Sequence, residues 1–145
     1  MSMGLPPPPP PGAGGPARPG AGPANPLVFY WQRVVLGNFA NFRGRARRAE
    51  YWWFTLANVL VVIALGILAG AVNGLWVLSS LYVLAMVVPS VAVAVRRLHD
   101  TDKSGWFLLL GVVPFFGGLI LLVLMLIDST PGANRYGVSE KYPFR

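Results

Sequence analysis

Two short polar clusters carry nearly all the side chains that could do chemistry. The first runs from Asn41 to Trp53, NFRGRARRAEYWW; the second from Arg96 to Trp106, RRLHDTDKSGW. Both are rich in arginine, whose guanidinium fork matches the oxygens of a phosphate or carboxylate two at a time. The plainer expectation is that these arginines snorkel to lipid phosphates and fix orientation; the sharper one is that Arg45, Arg48, Arg96 and Arg97 converge on one phosphate or acidic partner. Glu50 stands at the mouth of an apolar run, where a carboxylate needs a cationic partner or water. His99 and Asp100 are neighbours in sequence, and neighbours on a helix do not face each other. They are therefore no ready acid–base pair, and a hydrogen-bonded structural role is the plainer expectation for His99. Asp102 is expected to pair with Lys103 or to help start the next helix with Ser104 and Gly105.

Other chemistries find little support. The chain has no cysteine and one histidine, so thiolate chemistry is excluded and no metal site or cofactor is expected. No phosphate-binding glycine loop or nucleophile elbow is present, since Ser104-Gly-Trp lacks the strand–turn–helix setting. The apolar runs carry almost no ionisable group, which weakens a transport reading for a monomer.

These clusters must be positioned by membrane helices. Of 145 residues, 54% are hydrophobic and 12% charged, whereas a soluble domain averages about 25% charged. A soluble core of this size could not hide so much apolar surface, and the bilayer is the expected solvent. One uncharged run extends from Tyr51 to about Ala71, entered through the aromatic belt Tyr51, Trp52 and Trp53. A turn at Asn73 and Gly74 leads to a second run, Leu75 to Val95, with Pro89 expected to kink it. Residues 96–105 read as a polar loop. A third run, Trp106 to Ile127, is interrupted by Pro114, Gly117 and Gly118. It is either one kinked span or a re-entrant hairpin; the kinked span is preferred, because a chain this small offers little to bury re-entrant backbone.

Upstream, Val28, Trp31, Val35, Phe39 and Phe42 recur at spacings of three and four, predicting an interfacial helix over 27–42. Residues 1–26 are proline- and glycine-rich and predict a disordered tail, or a docking strand for a proline-reading partner. The tail lacks the apolar centre of a signal peptide. Residues 128–145 read as turns, with 138–145 a C-terminal tail. The expected fold is thus an all-α membrane protein. It is a small helical bundle of about three transmembrane helices, preceded by an interfacial amphipathic helix.

Gly66, Gly70 and Gly74 recur every four residues and form a candidate helix-packing face, within the chain or in a homo-oligomer. The net charge of +7 sits beside the apolar runs, so anionic phospholipid is a better partner than nucleic acid. Basic segments flank the first two spans on one side, and the turn between those spans has no charge. The positive-inside rule therefore puts the N-terminus in the cytoplasm. Three spans would leave the C-terminus outside, although Arg135, Lys141 and Arg145 oppose that placement.

The chain resembles the bacterial inner-membrane family called domain of unknown function 805. The matching segments are Phe42-Arg-Gly-Arg-Ala-Arg-Arg-Ala-Glu-Tyr-Trp, Pro89, Arg96-Arg-Leu-His-Asp-Thr-Asp-Lys-Ser-Gly-Trp, Pro114 with its glycines, and Pro131-Gly-Ala-Asn-Arg-Tyr-Gly. They follow the family's order over about residues 29–137, with Asp102 where the family often has glycine. The resemblance implies a multi-pass protein of the bacterial cytoplasmic membrane and no assigned activity. It adds Asn134 and Arg135 to Arg96, Arg97, His99 and Asp100 as members of a shared polar site. Three functions follow, in order of preference: a non-enzymatic component binding anionic lipid and a membrane protein partner; a lipid-phosphate enzyme using the Arg-Arg-Leu-His-Asp cluster; a transporter or channel subunit.

Overall fold

The computed structural model describes residues 23–142. Most of the proline-rich tail therefore lies outside the described residues. Helix α1, Pro26–Gln32, opens with proline in its first turn, and the Asn25 side chain accepts a hydrogen bond from the Val28 amide (3.3 Å). It continues in wider π-helical turns over Arg33–Gly37 and stops at Asn38, whose side chain donates to the Arg33 carbonyl (3.1 Å). The helix expected over 27–42 thus ends five residues early, because Gly37 and Asn38 end it. Phe39 and Phe42 lie beyond it, and its buried face is Tyr30 and Val34.

Helix α2 spans Arg48–Ala71 and α3 spans Leu75–Asp100. Each is long and apolar enough to cross a membrane. The turn between them uses Gly74 at φ +91°, a left-handed conformation open to glycine at little cost. Across the paired helices, the Tyr82 hydroxyl donates to the Asn58 side chain (2.8 Å), and Ser79 donates to the Leu65 carbonyl (3.3 Å). No neighbouring element comes within 4 Å of where a Cβ on Gly66 or Gly70 would stand. Pro89 is buried inside α3, and the helix runs on through it.

Two sequence expectations change here. The segment read as a polar loop is helical to Asp100, so Arg96, Arg97, His99 and Asp100 occupy the last turns of α3. The backbone can stay helical because distant groups satisfy its last carbonyls. Arg96 O accepts from the Ala46 amide (2.9 Å), His99 O from the Asn134 side chain (2.9 Å), and Asp100 O from the Thr130 amide (3.0 Å).

The run over 106–127, preferred as one kinked span, is not a single helix. A 3₁₀ segment, Gly105–Val112, is capped by Ser104. The chain then reverses over 113–116 and returns as α4, Gly117–Leu126. Gly117 permits the reversal, since a Cβ there would stand 1.8 Å from the Leu110 carbonyl oxygen. The start of this arm packs on Val95, and its end returns to Arg97. Both ends thus lie at one end of the α2–α3 pair. Eight 3₁₀ residues reach about 16 Å and ten α-helical residues about 15 Å, half of a hydrocarbon core about 30 Å thick. Beyond α4, the strands β1, Ala133–Asn134, and β2, Gly137–Val138, pair antiparallel.

Two small cores hold this end together. Val34, Ala46, Phe54 and Val93 join α1, α2 and α3, flanked by Trp31, Val35 and Tyr51. Ala94, Leu98 and Met125 join α3 to the arm, flanked by Trp52, Leu108 and Leu124. Elsewhere α2 and α3 expose leucine, isoleucine and valine along their length.

Candidate functional site

The reversal of the arm brings three stretches of sequence to the end of α3: residues 41–50, the last turn of α3 itself, and the segment after α4. Asp100 stands at the centre, 1% exposed. Its Oδ1 accepts from Arg45 Nε (2.9 Å) and its Oδ2 from Arg97 Nη1 (2.6 Å). The Ser129 hydroxyl also donates to Oδ2. A buried carboxylate held by two guanidinium groups and a hydroxyl has its acceptor capacity used by structure.

Each arginine has a distinct task. Arg45 donates from Nη1 to the carbonyls of Gly132 (2.8 Å) and Gly137 (3.2 Å), and from Nη2 to that of Thr130 (2.7 Å). It therefore pins the β-hairpin to α3. Arg97 donates to the carbonyls of Met125 (3.3 Å) and Ile127. Arg48 donates to the Leu126 carbonyl (3.3 Å) and pairs with Asp128 (3.2 Å). Both thus bring positive charge to the C-terminal end of α4, where its dipole favours a cation. Arg96 pairs through Nη1 with Glu50 Oε1 (2.5 Å), and both side chains are buried. Arg45, Arg48, Arg96 and Arg97 divide among three acids, Asp100, Asp128 and Glu50.

His99 Nδ1 lies 3.1 Å from the Gly44 carbonyl, so Nδ1 carries the proton. Gly44 presents that carbonyl from a left-handed turn, φ +79°. The imidazole stacks on Tyr136, with centroids 3.8 Å apart and planes 4° from parallel. Among the described residues no serine or threonine hydroxyl hydrogen-bonds to this ring, and the adjacent Asp100 points its carboxylate at arginines. Asp102 pairs with Arg135 (3.3 Å) rather than with Lys103. Asn134 donates to His99 O and to Thr130 Oγ1 (3.1 Å), so the tail residues do share this end with the α3 cluster. No group of three metal-ligating side chains occurs among the described residues.

Between α1, the 41–45 segment and the β-hairpin lies a polar cavity of about 300 Å³. Four arginines line it, Arg33, Arg43, Arg45 and Arg96, against one acid, Glu140. Arg33 pairs with Glu140 and stands 3.5 Å from Glu50 Oε2. Arg33, Asn38, Tyr136 and Glu140 are among the members that sequence reasoning did not single out. Arg33 lies on the polar side of α1, which was its only signal. Tyr136 lies in the Asn-Arg-Tyr-Gly tail but carries no charge to draw attention.

Comparison with known proteins gives the family. Residues 39–138 match the family described as "Protein of unknown function (DUF805)". The chain belongs to that family. It is 48% identical over 114 residues to inner membrane protein YhaI of Escherichia coli (strain K12), covering 77% of this chain and 96% of the relative. It is 43% identical over 116 residues to inner membrane protein YhaH of the same strain, with the same coverage. An uncharacterised protein of that strain, YiiR, is 34% identical over 128 residues. No solved structure matches the chain. The relatives' names place those proteins in the inner membrane, and the two long apolar helices suit the same setting. The matched region takes in both arginine clusters, Glu50, Asp100, the arm and the β-hairpin, and leaves α1 outside.

Proposed function

We propose that the protein is a non-enzymatic component of the bacterial cytoplasmic membrane that binds anionic phospholipid at the membrane surface. The observation that carries this reading is the reversal at 113–116. It returns Arg135 and Lys141 to the end of α2 and α3 where the α2–α3 hairpin already sets Arg33 to Arg48 beside Arg96 to Lys103, while residues 51–95 contain no charged side chain. On this reading α2 and α3 cross the bilayer, the arm enters and leaves from one side, and α1 lies in the headgroup plane. The basic end faces the cytoplasm with both termini. Exposed Arg43 and Arg135 and half-buried Arg47 and Lys103 then sit at headgroup level, where each cation near an anionic surface contributes about 1 kcal/mol. The buried arginines hold the fold, and among the described residues no nucleophile and base are assembled, which favours binding over catalysis. The uncovered Gly66–Gly70 face stays open to a partner helix within the lipid.

The test is retention of lipid by the full chain in nanodiscs of defined composition. Preferential retention of phosphatidylglycerol over phosphatidylcholine, weakening as salt is raised, is expected. Equal retention of both at every ionic strength would sink the reading.

A further inference from the structure

The buried arginines differ in how completely they are used. Arg45 and Arg97 each have a partner at all three guanidinium nitrogens. Arg96 does not. Its residue is 2% exposed, yet Nε and Nη2 make no hydrogen bond among the described residues. Leaving a buried donor unsatisfied costs about 1–3 kcal/mol, more for a charged group, so such a group calls for an explanation.

The two free nitrogens are the pair on one edge of the guanidinium. That edge presents two parallel N–H groups, the geometry that matches two oxygens of a phosphate. Nη1, at the other end, is fixed by Glu50, which holds the plane of the group. Arg96 lines the polar cavity, where Asn38 and Asn41 add amides and the Arg43 guanidinium has no partner among the described residues. Arg33, Arg45 and Arg96 each already have an acid, Glu140, Asp100 and Glu50, so Arg43 is the lining arginine whose charge is left for a bound phosphate. A second, largely apolar groove of about 510 Å³ shares Tyr136 with this cavity. It runs from His99 along Val95 and Val91 toward Leu108 and Trp106, and Phe42 on its lip adjoins Arg43. A polar cavity and an apolar groove on either side of Tyr136 offer places for a phosphate and for an acyl chain.

We infer that the cavity binds the terminal phosphate of a phosphomonoester lipid, with two of its oxygens on the Nε–Nη2 edge of Arg96 and its acyl chain in the groove beside α3. This rests on the proposed anionic-lipid binding and narrows it from a charged surface to one site.

The experiment uses the full chain in detergent micelles, with phosphatidic acid, phosphatidylglycerol and inorganic phosphate as probes and native mass spectrometry as readout. Phosphatidic acid should bind at least tenfold more tightly than phosphatidylglycerol. Arg96→Lys keeps the charge and can keep the Glu50 pair but removes the two-donor edge, and it should abolish that preference. Arg43→Gln changes an exposed side chain and should weaken phosphatidic acid binding several-fold; it decides the matter if Arg96→Lys lowers the melting temperature. Equal binding of the two lipids, unchanged in both variants, would overturn the site and leave surface binding standing. Displacement of phosphatidic acid by equimolar inorganic phosphate would overturn the role of the acyl groove. Binding of neither lipid would remove the site together with the reading it rests on.

Discussion

Replacing Asp100 by asparagine tests whether this residue is the pin that closes the fold. The carboxylate is buried against Arg45 and Arg97, whose side chains are 2% and 0% exposed. Asparagine keeps the shape but offers one acceptor oxygen where two arginines and Ser129 now donate. Its amide would also turn N–H groups toward cationic N–H groups. Removing one partner from a buried ion pair costs about 3–5 kcal/mol, because the remaining charge stays buried without compensation. That corresponds to a factor of more than about a hundred in the local opening equilibrium. The loss should be local, since α2 and α3 pair independently of it. It should appear as faster amide hydrogen exchange at Thr130, whose N–H bonds to Asp100 O, and at Ser139, bonded to Gly132 O. The control is Asp102→Asn. Its pair with Arg135 is exposed on both sides, and such pairs contribute about 0–1 kcal/mol, so exchange there should change about fivefold at most. Unchanged exchange in the Asp100 variant, or equal damage from both, would refute the reasoning.

Other outcomes follow from the same geometry. Gly117→Ala puts a methyl 1.8 Å from the Leu110 oxygen, whereas Gly118→Ala meets nothing within 4 Å. The first should cost about 1–3 kcal/mol or more by overpacking and the second almost nothing, read as melting temperature in detergent. Reporter fusions after Arg145, one active inside and one outside, should show the C-terminus on the cytoplasmic side; an outside result would mean that the arm crosses. Hydrogen bonding from Lys141 holds the Asp128 carboxyl below its usual range, and the same bond raises the Lys141 amine. The Asp128 contribution is present above the unfolded aspartate pKa, about 3.9, and is lost as pH falls through the lower folded value. Residues 139–142 should therefore loosen in acid below about pH 4, visible as faster proteolysis near Tyr142, while Asp128→Asn shows that looseness already at neutral pH.

The two long helices were legible because some twenty uncharged residues in a row leave the backbone few alternatives. The turn at Asn73 and Gly74 was legible from its residue types. The end of α3 was not, because charges at 96–100 read locally as a loop. They stay helical through partners 46, 30 and 55 positions away: Glu50 for Arg96, Ile127 for Arg97, and Arg45 for Asp100. The reversal in the third run was less legible for a related reason. Its 22 residues match one span, and nothing local shows that Arg97 and Arg48 satisfy the carbonyls at its far end. The site members were identified as residue types, whereas their division among three acids is a product of long-range pairing that no spacing encodes.

The arm has a consequence for the lipid around the protein. In the proposed orientation four helical segments cut through one leaflet, namely α2, α3, the 3₁₀ segment and α4, while only two cut through the other. The tip between them presents Phe115, 96% exposed, and Phe116, 69% exposed, at the level where acyl chain ends meet. In that orientation the molecule would be a taper, displacing more lipid from the cytoplasmic leaflet than from the outer one, and every copy inserted would shift the relative areas of the two leaflets in the same direction.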